Sequence, residues 1–345
     1  MVFFFVFILC IAIVFLIAGT MFSAPSYKGP VSDHFSGKKF INPGNIKEQS
    51  LFDVLKWMRQ RKRGPWNELK TAEYGKHPLA REKENIRITF VNHSTFLIQA
   101  DGLNILTDPV WSFRVSPFAW AGPKRMRPAG IRFEDLPRID VVLLSHNHYD
   151  HLDLPTMRMI FGGHHPVIIT PLGVKAFLDQ QMIAGATDLD WWEEKKLNDS
   201  VSIQCVPAQH FSGRGAFDRN ETLWCGYVLK TSKGNIYFAG DTGYNDKTFK
   251  EIGERFGKMK ISLLPIGAYK PVWFMHPVHT SPEESVIIHK EVRSEKSIGT
   301  HIGTFALGDE GQSDPADDLK LACAKHQLNE NDFFVLKEGE VYIAE

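Results

Sequence analysis

Within six positions the chain places His146, His148, Asp150 and His151, three imidazoles and a carboxylate in the stretch SHNHYDHLD. Imidazole nitrogen and carboxylate oxygen hold zinc and similar borderline divalent ions, and two ligand pairs this close suggest two metals sharing one loop. Spacings of i, i+2, i+4 and i+5 converge from neither a regular strand nor a regular helix, so these side chains need a tight loop. Residues 139–144, IDVVLL, must carry that loop. This short Val/Leu-rich run ends at once in polar residues, which predicts a buried strand rather than a helix. A lone histidine is ordinarily a surface or core residue. Four such residues in one loop at a strand's carboxyl end read as a metal site.

The His-x-His-x-Asp-His loop resembles the signature of the metallo-β-lactamase superfamily, and later landmarks of that family occur in order: His210 in PAQHFSGR, Asp241 in YFAGDTGY and His301 in IGTHIGTF. The resemblance implies that His146, His148 and His210 hold one zinc, that Asp150, His151 and His301 hold a second, and that Asp241 bridges them. It implies an α+β fold, a four-layer αβ/βα sandwich of two facing mixed sheets with outer helices. The blocks NHSTFLI, TDPVWSFRVSP, AGPKRMRP, PIGAY and WFM followed by His279 resemble the branch containing N-acyl-phosphatidylethanolamine-hydrolysing phospholipase D and its bacterial relatives. Together the blocks cover most of residues 92–307.

What this resemblance implies is a di-zinc phosphodiesterase acting on N-acyl-phosphatidylethanolamine or a related phospholipid. Paired metals would activate water and polarise the phosphoryl oxygen. Asp150 would orient that water as well as bind metal, and His279 would contact the phosphate or the leaving group. Sugar-phosphate lactonases share the ligand set, so a lactonase or esterase acting on a small sugar phosphate is the alternative. A non-catalytic, membrane-tethered zinc protein is more remote, because structural zinc is usually enclosed by four ligands. An RNA-processing nuclease of the superfamily would carry a further late domain, and the roughly 60 residues between Asp241 and His301 leave no room for one.

The 345 residues, 43% of them hydrophobic, can bury one large core or two small ones. Forty basic and forty acidic residues cancel, which argues against a nucleic-acid partner. Cys10, Cys205, Cys225 and Cys323 form no CxxC pair and read as small apolar residues.

Residues 2–18, VFFFVFILCIAIVFLIA, are uninterrupted apolar sequence. With residues 19–22 they match the ~20 residues of a membrane-spanning helix. The expectation is a retained anchor over 1–22 with the catalytic part in the cytoplasm, since lysines follow the segment. A cleaved signal peptide, with a periplasmic or secreted product, is the alternative. Residues 23–80 read as a linker, 25–44, and a helical extension, 51–63, ahead of a hydrolase domain over 81–345. The helix carries apolar residues at helical spacing and a basic far side, suited either to packing or to a lipid surface.

From residue 86 alternation predicts two strands joined at Asp101-Gly102. His93 and Asp108 follow family landmarks and are candidates for orienting a ligand. Arg114, Lys124, Arg125 and Arg127 lie in a long loop and could pair with a substrate phosphate. Phe113, Phe118, Trp120, Trp273 and Phe274 are candidates for an apolar entry surface. Strands are expected at 166–170, 201–206, 224–231, 235–239, 261–266 and 296–300, and helices at 172–181 and 282–292.

Overall fold

The structure, a computed structural model, describes residues 19–345 apart from 45, 47 and 70–77. Helix α1 (Leu51–Gln60) precedes two sheets, each of seven strands among the described residues. The first contains β1 (Ile86–Asn92), β2 (Thr95–Ala100), β3 (Leu103–Thr107), β4 (Val141–Leu143), β5 (Val167–Pro171) and β6 (Ala186–Leu189), with α2 (Leu154–His164) and α3 (Val174–Gln180) between its later strands. The second contains β7 (Glu194–Lys196), β8 (Ser202–Val206), β9 (Gly226–Thr231), β10 (Gly234–Phe238), β11 (Met259–Pro265), β12 (Ser294–Thr300) and β13 (Phe333–Phe334). Helices α4 (Thr248–Phe256), α5 (Val272–Met275), α6 (Pro282–Glu291) and α7 (Asp314–Lys325) accompany it, and β14 (Val341–Ala344) returns to the first sheet beside β1. Strand order is β14-β1-β2-β3-β4-β5-β6 and β13-β12-β11-β10-β9-β8-β7. Each sheet is antiparallel along one half and parallel along the other.

Side-chain alternation explains the layers. On β4, Val141 and Leu143 enter the core between the sheets, while Val142 and the following Leu144 meet the outer helices. On β10, Ile236 and Phe238 point to the same inter-sheet core, and Tyr237 faces the helices of the second sheet. Strands buried on both faces must be apolar throughout, which is why 139–144 reads as an unbroken run. The result is the expected four-layer sandwich.

The region from Ile86 to Thr107 holds three strands rather than two. His93 adopts a left-handed backbone, φ 48°, and the chain reverses there before the second reversal at Asp101 and Gly102. No glycine marks the first turn, so alternation ran through it.

The expected membrane anchor requires correction. Residues 1–18 lie outside the described residues, and no helix among the described residues is long and apolar enough to cross a membrane. Residues 19–26, which were to complete the span and leave it, lie on the protein: Gly19 is buried against Phe217, and Ala24 N donates to Asp218 Oδ2 at 2.7 Å. The transmembrane helix, and the cytoplasmic placement deduced from it, therefore do not stand. The stretch read as a linker also lies against the body, where buried Phe35 and Phe40 pack with Ala208, Leu223 and Trp224.

Leu263 is fully buried in β11, in the core shared by the sheets. Leu263→Ala should cost about 2–5 kcal/mol in urea unfolding. Leu321→Ala, at a position 70% exposed on α7, should stay within about 0.5 kcal/mol.

Candidate metal centre

The ends of the two sheets bring the candidate residues together. His93 lies between β1 and β2, Asp108 follows β3, the 145–151 loop follows β4, His210 follows β8, Asp241 follows β10 and His301 follows β12. A rigid sheet edge thus presents the candidate ligands from loops. His279 comes from the segment joining α5 to α6, whose start is fixed by a capping box of Ser281 with Glu284.

Asp108 is the anchor of the loop. Its Oδ1 accepts from Ser145 N at 2.7 Å, and its Oδ2 accepts from Ser145 Oγ and from His151 Nδ1, both at 2.6 Å. The carboxylate holds the proton on His151 Nδ1, so Nε2 presents a lone pair to the cluster. The same logic orients two more rings. Ser145 Oγ is engaged as a donor to Asp108, so His146 Nδ1 donates to it at 2.9 Å, and His210 Nδ1 donates to Val278 O at 2.8 Å. Both leave Nε2 as an acceptor.

Those acceptors converge. His148 Nδ1 lies 2.8 Å from His146 Nε2 and 3.3 Å from His210 Nε2. His148 can bring at most one proton to this trio, so lone pairs face one another. On the other side, Asp150 Oδ2 lies 3.3 Å from His301 Nε2 and 3.4 Å from His151 Nε2. Asp241 Oδ2 lies 3.1 Å from His301 Nε2, 3.2 Å from His151 Nε2 and 3.8 Å from His210 Nε2, touching both groups. His151 Nε2, both ring nitrogens of His301 and Asp241 Oδ1 are buried with no hydrogen bond. Each orphaned polar atom costs about 1–3 kcal/mol. Divalent cations among these donors would satisfy His151 Nε2, His301 Nε2 and the Asp241 carboxylate, so the residues present fit a metal.

Electrostatics agree. Burial pushes His146 and His210 well below the ordinary imidazole range and His148 down to about 3, keeping them neutral as metal ligation requires. Burial opposes charge on Asp150, Asp241 and His151 alike, yet their mutual attraction wins. The two carboxylates with Asp108 raise His151 well above the imidazole range, and His151 with His301 holds both carboxyls well below theirs. The His151 Nε2 lone pair therefore takes up a proton that a metal cation would replace. Burial likewise opposes charge on His301, and Asp241 with Asp150 raises it to about 9. Two buried carboxylates therefore demand positive charge here.

Residues 103–302 match the family described as the beta-lactamase superfamily domain. The chain belongs to the metallo-β-lactamase superfamily. It is 40% identical over 267 residues to N-acyl-phosphatidylethanolamine-hydrolyzing phospholipase D 1 of Caenorhabditis elegans, covering 74% of this chain and 75% of that one. A mitochondrial N-acyl-phosphatidylethanolamine-hydrolyzing phospholipase D of Saccharomyces cerevisiae is 38% identical over 240 residues, 68% of this chain and 51% of that one. Among solved structures, a metallo hydrolase of the archaeon Ignicoccus hospitalis superposes with a TM-score of 0.57 at 22% identity, over 76% of this chain and 99% of the other, a likeness of fold. As a member of this superfamily the protein is a metal-dependent hydrolase.

Other expected residues divide. His93 Nε2 reaches Asp150 Oδ2 at 3.1 Å, and His301 N donates to His93 O, so His93 steadies both. His279 Nδ1 lies 3.8 Å from Asp241 Oδ2 at the partly open edge of the cluster, and burial pushes its imidazole down to about 4. The basic loop residues are engaged elsewhere. Arg125 is buried and donates to Ser112 O and Val110 O, Arg127 pairs with Glu338, Lys124 pairs with Glu68, and Arg114 donates to Gly122 O. None makes an ion pair or hydrogen bond with the cluster among the described residues.

Two supports escaped the sequence reading. Asn42 accepts from His210 N at 2.8 Å and donates to His210 O at 2.7 Å, clamping that residue from 168 positions away. Arg214 is buried and donates to Asn147 O and Leu152 O, locking the 145–151 loop from behind. Its place four residues after His210 was the one available signal; for Asn42 there was none.

Asp241→Asn should remove at least half of the bound metal, measured by elemental analysis of purified protein. Asp108→Ala, which frees His151 without deleting a ligand, should weaken metal affinity by about 10–100-fold in a competitive chelator titration.

Proposed function

We propose that the protein is a di-zinc phosphodiesterase of phospholipase D type, hydrolysing N-acyl-phosphatidylethanolamine or a related phospholipid. The observation that carries this is the convergence of seven donors, His146, His148, Asp150, His151, His210, Asp241 and His301, with an open side where His148, Asp150 and His279 remain partly exposed. A structural metal site would close that side. The name of the nematode relative supports the substrate class.

His146, His148 and His210 would hold one zinc, and Asp150, His151 and His301 the other, with Asp241 shared between them. Bound there, zinc supplies a Lewis acid and lowers the pKa of bound water at neutral pH. Asp150, at the open side and fixed by His93, accepts a hydrogen bond from the attacking water and aims it at phosphorus. His279, 13% exposed at its side chain beside Asp241, contacts a phosphate oxygen or the departing oxygen. The water oxygen joins phosphorus, the bond from phosphorus to the ethanolamine oxygen breaks, and that oxygen takes up a proton. The products are phosphatidic acid and an N-acylethanolamine.

Turnover of N-acyl-phosphatidylethanolamine in mixed micelles of heavy-oxygen water should put the label in phosphatidic acid and none in the N-acylethanolamine. Chelation should abolish the reaction and zinc should restore it. His279→Ala should lower kcat by about 10²–10⁴-fold while metal content is retained. Bound zinc with no lipid turnover, but cleavage of a small phosphorylated lactone or ester, would assign the site to the alternative substrate class.

A further inference from the structure

Helix α1 presents four of its apolar residues outward. It meets the body through Trp57, whose ring stacks on Phe274 at 4.8 Å and whose Nε1 donates to Asp309 Oδ1 at 3.2 Å. Ahead of the helix, Gln49 Nε2 donates to Phe274 O at 2.9 Å. Leu51, Leu55 and Met58, at i, i+4 and i+7, line the far side with Phe52 beside them. They are 76, 56, 62 and 74% exposed respectively, and no residue of the helix is buried. A helix that merely packs turns such a stripe inward. Contiguous exposed apolar side chains mark a binding face.

The borders of the stripe are cationic. Lys56 lies over the Trp273 ring at 4.7 Å, Arg59 sits within the exposed arc, and Lys62 follows the helix. A cavity of about 740 Å³ opens here, lined by Arg59 and Lys62 together with Trp57 and Trp273. An apolar stripe edged by long basic side chains and tryptophan matches the boundary between lipid headgroups and acyl chains, where cations meet phosphate and the apolar face is dissolved.

We propose that the outward face of α1 is a docking surface for a lipid bilayer carrying anionic phospholipid. Leu51, Phe52, Leu55 and Met58 enter the acyl boundary, and Lys56, Arg59 and Lys62 meet lipid phosphates. The surface lies wholly within described residues and requires no spanning helix. It also goes beyond the proposed reaction without depending on it, although its position suits that reaction. Phe274, on which Trp57 stacks, belongs to α5, whose exposed Val272 lines a cavity of about 250 Å³ that also holds His279.

The test reads immersion of α1 itself. Full-length protein in a Cys10→Ser background carries a nitroxide at Met58→Cys or, as a control, at Lys233→Cys; the described cysteines are buried. Vesicles of phosphatidylcholine with phosphatidylserine are added, and label accessibility to oxygen is compared with accessibility to an aqueous nickel complex. The proposal predicts that the Met58 label becomes oxygen-accessible and nickel-protected, while the Lys233 label stays aqueous. Leu55→Asp should reduce the Met58 immersion by about tenfold, with metal content unchanged, and pure phosphatidylcholine should support less immersion than the anionic mixture. A Met58 label that stays aqueous on anionic vesicles, or one immersed equally with Leu55→Asp, would overturn it. So would protection from both reagents before vesicles are added, which would assign the face to a second copy of the chain.

Discussion

Seven nitrogen and oxygen donors meet in a space where five of them, His146, His151, His210, Asp241 and His301, are at most 4% exposed. In water their lone pairs would be hydrated. Here two carboxylates and a set of imidazoles face one another at about 3 Å, an arrangement that repels itself unless cations lie among the donors. The rest of the site can be understood as the apparatus that holds this unfavourable convergence in place. Asp108 fixes both ends of the 145–151 loop, Asn42 clamps His210, and Arg214 braces the loop from behind. Such partners decide which nitrogen carries the proton, and so where the lone pairs point.

The backbone bears part of the burden. His93, Asp108 and His301 all have positive φ, at 48°, 33° and 61°. Non-glycine residues in that region cost about 1–3 kcal/mol each and persist where their surroundings over-determine them. Gly240, directly before Asp241, also has positive φ, and a Cβ there would lie 2.7 Å from that of Ser145. The two sheets supply the rigidity against which this strain is held. Their strand ends converge on one edge, and the apolar alternation of β4 and β10 ties that edge to the inter-sheet core.

What could be read from the sequence follows from this division of labour. Candidate ligands are His and Asp set in order at strand ends, so His146 to His151, His210, Asp241 and His301 stood out beside apolar runs. The four-layer fold came with them. The supports did not, because a single amide such as Asn42 has the same appearance in a loop as in a clamp. The basic loop shows the same limit: Arg125 and Arg127 look like phosphate ligands by type, and in the structure they hold backbone carbonyls and Glu338. The apolar N-terminal run satisfied the length of a span. Residues 19–26 instead lie against the loop around Phe217 and Asp218, a contact that hydropathy cannot express. Likewise α1 has helical periodicity, but which face it turns to the body was set by Trp57 meeting Phe274 and Asp309.

The central claim is that these donors hold two metals in a shared centre. Diffraction from crystals of zinc-loaded protein, collected on either side of the zinc absorption edge, tests it most directly. Two anomalous peaks are predicted, one bounded by His146, His148 and His210, the other by Asp150, His151 and His301, with Asp241 contacting both. A single peak, or a second one held by His93 in place of Asp150, would contradict the account.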